Sequence, residues 1–159
     1  MNLPTEQQAR LQHLAQAVLS TSAHLQVTDR GVFAQPFTAE RAAGLDGDAA
    51  LAERVDAFVA RFSRLQDLLG DKLLPELLAA LGEPPRAIID NLDHAERLHW
   101  IAAADDWMRM RRLRNQMVHE YIKDPAVLAD ALQRGHDFVP VLVAAAAALV
   151  AELQRRGWA

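Results

Sequence analysis

An all-α fold is predicted by three features of this 159-residue chain. Nearly every strongly patterned segment repeats its apolar residues at helical spacing, and no alternating run resembles a sheet strand. Apolar residues make up 51% of the sequence, too many for disorder and enough for a real core. Glycine and proline clusters then divide the chain into helix-length stretches. The expectation is one helical bundle over residues 1–159, with a leading helix and a long loop in 1–50 and a core in 51–156.

The first helix is expected over Thr5 to Leu25, where Leu11, Leu14, Val18 and Leu25 are spaced for one apolar stripe. Val27 to Asp48 holds three glycines and Pro36 and reads as a long connection. A second helix should span Leu51 to Leu69, carrying Val55, Phe58, Val59, Phe62 and Leu65. Gly70-Asp71 is expected to interrupt it, with Leu73 to Leu81 continuing at an angle. Gly82-Glu83-Pro84-Pro85 is a clear break, and Arg86 to Leu98 can form a short helix beyond it. Asp105 or Asp106 is placed to cap the next helix, which should reach about Lys123. Asp124-Pro125 reads as an N-cap followed by proline at the first helical position, opening a short helix that stops near Gly135. The last helix should run from Phe138 to Arg155, and its Ala144 to Ala148 run suits close helix–helix contact.

Composition narrows the function classes. Without cysteine the chain can form no disulfide, thiolate nucleophile or cysteine metal site, which fits a reducing, cytoplasmic setting. The start, Met1-Asn2-Leu3-Pro4-Thr5-Glu6, lacks the basic and apolar pattern of an export signal. The longest apolar run, Phe138 to Ala151, has 14 residues, short of the roughly 20 that cross a bilayer, so no membrane partner is expected. A net charge of −4 gives no broad attraction to nucleic acid, so an RNA partner would have to meet a local basic site. Such a site lies between Arg109 and Arg114.

The most informative string is Arg114-Asn115-Gln116-Met117-Val118-His119-Glu120-Tyr121. It brings a guanidinium, an amide, an imidazole and a phenol into little more than two helical turns, a mixture suited to a phosphodiester or nucleotide. Arg112, Asn115 and His119 share one helix face, whereas Arg111 and Arg114 are neighbours on another. Arg114 and His119 lie roughly 140° apart on an ideal helix. They converge only by side-chain wrapping, by a distorted helix, or across a dimer.

The chemistry these residues could perform is metal-independent RNA cleavage. His119 could take a proton from a ribose 2′-hydroxyl or return one to the leaving oxygen. Arg114 could grip the nonbridging oxygens and stabilise charge on phosphorus. Asn115 would orient the phosphate or His119, with Arg111 and Arg112 as further substrate contacts. Tyr121 could donate a hydrogen bond, stack on a base, or be modified. The plainer reading is that Arg109, Arg111, Arg112 and Arg114 pair with Asp105, Asp106, Glu120 and Asp124 on a solvated helix.

Other candidates are weaker. His94 and His99 stand near Asp90, Asp93 and Glu96 but lack the compact helical zinc spacing, so no metal is expected. His13, His24 and His136 show no partner. Trp100 and Trp107 flank the motif helix and are expected to pack it. No glycine loop is built to cradle phosphates, and no cofactor is expected.

The Arg-x4-His-x-Tyr string at Arg114, His119 and Tyr121 resembles the signature of the HEPN superfamily of small helical proteins. Its closest branches are the HepT-like toxins and the nucleotidyltransferase substrate-binding proteins. Pro85-Arg86 before a short helix, then Trp107-x-x-Met110 ahead of Arg114-Asn115, resemble the substrate-binding branch. Met117-Val118-His119-Glu120-Tyr121 leans toward the toxins. The likeness covers roughly Leu51 to Val150 and implies an up-and-down HEPN-type core in a two-fold homodimer, with the motif helices facing across a cleft. In the toxin branch it implies Arg114 and His119 as the ribonuclease pair and Asn115 as their polar support. Tyr121 would be the tyrosine that a partner nucleotidyltransferase antitoxin adenylylates to silence the toxin. In the other branch it implies a noncatalytic binding partner of a small nucleotidyltransferase.

Overall fold

The computed structural model describes residues 2–119 and 124–159, without the side chain of His119. Among them the secondary structure is helical throughout, with no strand. Helix α1 spans Thr5–Val32, α2 Ala39–Ala43, α3 Ala49–Asp67, α4 Leu74–Ala80, α5 Ile88–Arg97, α6 Ala104–His119 and α7 Pro125–Arg155. A 3-10 turn, Leu45–Gly47, precedes α3, and a π-helical turn, Leu68–Leu73, joins α3 to α4.

Helix α1 packs along α3 and α7, and α6 lies against α5, α3 and α7. The core they share is aliphatic with a few large aromatics. Leu11, Val18 and Leu25 of α1 meet Phe58, Phe62 and Leu65 of α3 and Leu142, Leu149 and Leu153 of α7, all buried. The predicted apolar stripes of α1 and α3 are therefore the core faces.

Two expected boundaries are corrected and a third is refined. Helix α1 runs on to Val32, through the start of the expected 27–48 loop, and the rest of that stretch folds into α2 and the 3-10 turn. Val32 and Leu45 are buried there, and Arg41 holds the carbonyls of Val32 and Gln35 at 3.0 and 2.9 Å, so the connection is packed. The expected interruption at Gly70-Asp71 is present and takes the form of the π turn, which separates α3, ending at Asp67, from α4, starting at Leu74. Helix α7 is one 31-residue element rather than two. Gly135 is a contact point and not a break: a Cβ there would lie 3.2 Å from Met117 Sδ and 3.3 Å from Phe58 Cε1. Pro140 is carried inside the helix at a solvent-exposed position.

By length and composition alone, the unbroken α7 would be long and apolar enough to cross a membrane. Its face of Leu128, Leu132, Val139, Leu142 and Leu149 is buried within the bundle. The expected Asp124-Pro125 start is present, with Asp124 Oδ1 accepting from Ala126 N–H at 2.9 Å.

Candidate functional site

Helix α6 owes its position to two neighbours. Its first turn is capped from α5, because Glu96 Oε1 accepts the Ala104 N–H at 2.8 Å. Asp105 and Asp106, the expected caps, instead lie inside the first turn, where their charge suits the positive end of the helix dipole. The chain between α5 and α6 turns through His99, which takes a left-handed φ of 60°. Trp100 and Trp107 are both buried, as expected.

The second neighbour is the π turn. Trp107, Arg111 and Arg114 recur at four and three residues along one face of α6, and that face meets Asp67, Gly70 and Asp71. The Trp107 indole lies over Gly70, where a Cβ would sit 2.9 Å from its Nε1. Only glycine permits this approach. Further along the same face, Arg111 Nη1 donates to Asp71 Oδ1 at 3.1 Å, and Arg114 Nη1 is hydrogen-bonded and ion-paired to Asp67 Oδ1. Both arginines use one nitrogen in these pairs, and among the described residues the other donors of each guanidinium have no side-chain partner.

The predicted arginine pairings are thus corrected in part. Arg109 pairs with Asp106 as anticipated. Arg111 and Arg114 turn to distant carboxylates on the π-turn side, and Asp124 serves as the α7 cap. Arg112 has no ion pair among the described residues, and it is exposed together with Asn115. The α6 backbone is regular α-helix up to His119, so positions 114 and 119 stand roughly 140° apart and no helix distortion brings them together within one chain. The His119 side chain, Glu120 and Tyr121 lie outside the described residues.

Partial burial raises the pKa of Asp71 above the ordinary carboxylate value, and the nearby Asp67 charge adds to this, while Arg111 and Arg114 oppose it. A raised folded-state pKa means that ionised Asp71 is a cost of folding at neutral pH. The cost is relieved as pH falls through the raised value and is gone below the unfolded carboxylate pKa. Asp71→Asn should therefore compare best with the wild type near pH 7 and lose ground near pH 4. Urea midpoints of the two proteins at both pH values check this, and a difference independent of pH would contradict it.

A groove of about 520 Å³ opens on the other side of α6, between it and α7. Arg109, Arg112, Gln116, Arg134 and Phe138 line it. Sequence reasoning passed over Gln116, Arg134 and Phe138, because nothing local in the sequence relates α7 to the motif. It also passed over Asp67, inside the expected second helix, and Asp71, read only as part of its interruption. A larger cavity, about 900 Å³, lies between α1 and α4 and shares Asp71 with the α6 cluster.

His136, expected to be isolated, has its Nδ1 2.7 Å from Asp29 Oδ1 and stacks on Phe33 with ring centroids 4.5 Å apart. Among the described residues no three His, Asp or Glu side chains are grouped to hold a metal ion.

The class of protein defined by these elements is an all-α helical bundle carrying an arginine-rich helix across its π turn. Compared with models of known families, with curated proteins and with solved structures, the chain matches none.

Proposed function

We propose that the protein is a HepT-like, metal-independent endoribonuclease that works as a two-fold homodimer, with Arg114 and His119 meeting across the α6 helices of two chains. The observation that carries this reading is the fixing of Arg114. A guanidinium held from one side by Asp67, with no other partner among the described residues, is pre-organised to receive a phosphate without first losing side-chain freedom. The roughly 140° between positions 114 and 119 along a regular helix favours a site shared by two chains over one within a single chain.

In this reading Arg114 stabilises the phosphorane charge, and His119 moves the proton of the 2′-hydroxyl or of the leaving oxygen. Asn115 and Arg112 contact substrate from the exposed face, while Arg111 supports from the Asp71 side. Tyr121 is the site a partner nucleotidyltransferase antitoxin adenylylates, since phosphate added beside an anion-binding cleft would block it. The protein acts in the cytoplasm, and α7 serves as a core helix and not as a membrane span.

A second reading, a noncatalytic partner of a small nucleotidyltransferase, is favoured by the pairing of Arg111 and Arg114 with Asp71 and Asp67, which offsets their positive charge. The deciding experiment is cleavage of total cellular RNA by the purified protein and by His119→Ala, with magnesium and with chelator. Cleavage that survives chelation and falls at least about 100-fold in His119→Ala is the expected result. A folded wild-type dimer that leaves RNA intact while binding a nucleotidyltransferase would establish the second reading instead.

A further inference from the structure

We infer that the groove between α6 and α7 is a binding track for single-stranded nucleic acid, and in the proposed ribonuclease for the RNA that flanks the scissile phosphate. The role in cleavage rests on the reading above, but the binding site rests on its own residues. Three arginines, Arg109, Arg112 and Arg134, line the groove with one aspartate, Asp137, and two of them are paired to Asp106 and Asp130 beside it. A row of guanidiniums that can exchange exposed aspartates for phosphates is able to receive a polyanion.

The arginines differ in readiness. Arg112 is exposed and forms no ion pair among the described residues. Arg134 pairs with Asp130 at 3.1 Å and donates to Gln116 Oε1 at 3.2 Å, and Arg109 pairs with Asp106. Both ion pairs are between exposed groups one helical turn apart, the kind a phosphate displaces at small cost. Gln116 also links the two helices through Arg134.

Charge alone would suit any polyanion, and Phe138 narrows the choice. It lines the same groove, half-buried, with its base packed on the core. An aromatic ring beside a row of guanidiniums is the pairing that holds unstacked bases and their phosphates together. A duplex hides its base faces, so it could use the arginines and not the ring. Position 112 lies two helical turns from 119 on the same face of α6, about 10 Å along the axis. A strand seated at Arg112 therefore reaches the level of His119 within a few nucleotides.

The test uses the full-length protein and a fluorescein-labelled 2′-O-methyl uridine oligomer of about 12 nucleotides, which cannot be cleaved through its 2′-oxygen. Fluorescence anisotropy is recorded across a salt series for the wild type, Arg112→Ala, Arg134→Ala and Phe138→Leu. Arg155→Ala, roughly 30 Å away along α7, is the control. Each groove arginine removed should weaken binding and reduce the slope of log affinity against log salt by about 0.7. Phe138→Leu, which keeps the apolar packing, should weaken binding about fivefold or more and leave the salt slope unchanged. Circular dichroism melts confirm that each variant is folded. Variants that bind like the wild type, a wild type that does not bind the oligomer, or equal competition by duplex RNA would each overturn the inference. Binding through these residues by a protein that cleaves no RNA would refute the ribonuclease reading and leave the groove assignment standing. Cleavage by the wild type with groove variants unaffected in binding would do the reverse.

Discussion

Arg114→Ala is expected to lower RNA cleavage by about 100- to 1,000-fold while leaving the protein folded. The size follows from removing a pre-placed donor from the phosphorane charge. The stability follows from the pair it breaks, since Arg114 and Asp67 side chains are 28% and 39% exposed and such a pair contributes about 1 kcal/mol or less. Arg114→Lys should not restore activity, because an ammonium cannot hold Asp67 with one nitrogen and a phosphate with another in the same planar geometry. Asp67→Asn separates charge from placement. It removes the competing negative charge, so KM should fall, but it loosens the guanidinium, so kcat should fall with it. Steady-state cleavage of a defined RNA by the four proteins reads these effects. Undiminished activity in Arg114→Ala would assign the arginine to structure and sink the proposed mechanism.

Trp107→Ala is expected to be the most damaging single change to the fold, costing about 3–5 kcal/mol. The indole is 1% exposed and packs from α6 on Gly70 of the π turn, so truncation leaves a cavity in the seam between the two elements. Its Nε1–H is buried with no partner, which makes Trp107→Phe an informative contrast. Phenylalanine keeps most of the apolar volume and discards the unpaired donor, so the loss should stay under about 1.5 kcal/mol. Gly70→Ala approaches the same contact from the other side. The new methyl meets a rigid, buried ring that has little room to withdraw, and about 1–3 kcal/mol should be lost. Urea unfolding ranks the three variants, with Trp107→Ala melting roughly 10 °C or more below the wild type. A Gly70→Ala protein as stable as the wild type would mean that the indole shifts freely and that the seam does not set the register of Arg111 and Arg114.

Much of the bundle was legible because local rules carry it. The stripes of α1 and α3, the Gly82-to-Pro85 break and the Asp124-Pro125 start each depend on residues within one or two turns. Errors fell where a local signal met a distant partner. Gly135 resembles a helix stop until Met117 and Phe58 are seen against it, and packing there outweighs the intrinsic cost of glycine in a helix. At Gly70 the sequence marked the break between helices but not the contact with Trp107. The predicted site divides in the same way: Arg112 and Asn115 take the exposed face that helical periodicity gives them, whereas Arg111 and Arg114 find carboxylates that spacing along α6 does not reveal.

Periodicity, punctuation and composition were thus enough to specify helices, an approximate order of elements and an arginine-rich motif helix, because hydrophobic spacing and capping act over a few residues. The tertiary structure alone decided that α3 passes through a π turn, that Asp67 and Asp71 face Arg114 and Arg111, and that Arg134 and Phe138 of α7 complete a groove with Arg112. Those pairings join residues tens of positions apart. Their geometry is set by how whole helices pack, and side-chain volume at Gly70, Trp107 and Gly135 determines that packing.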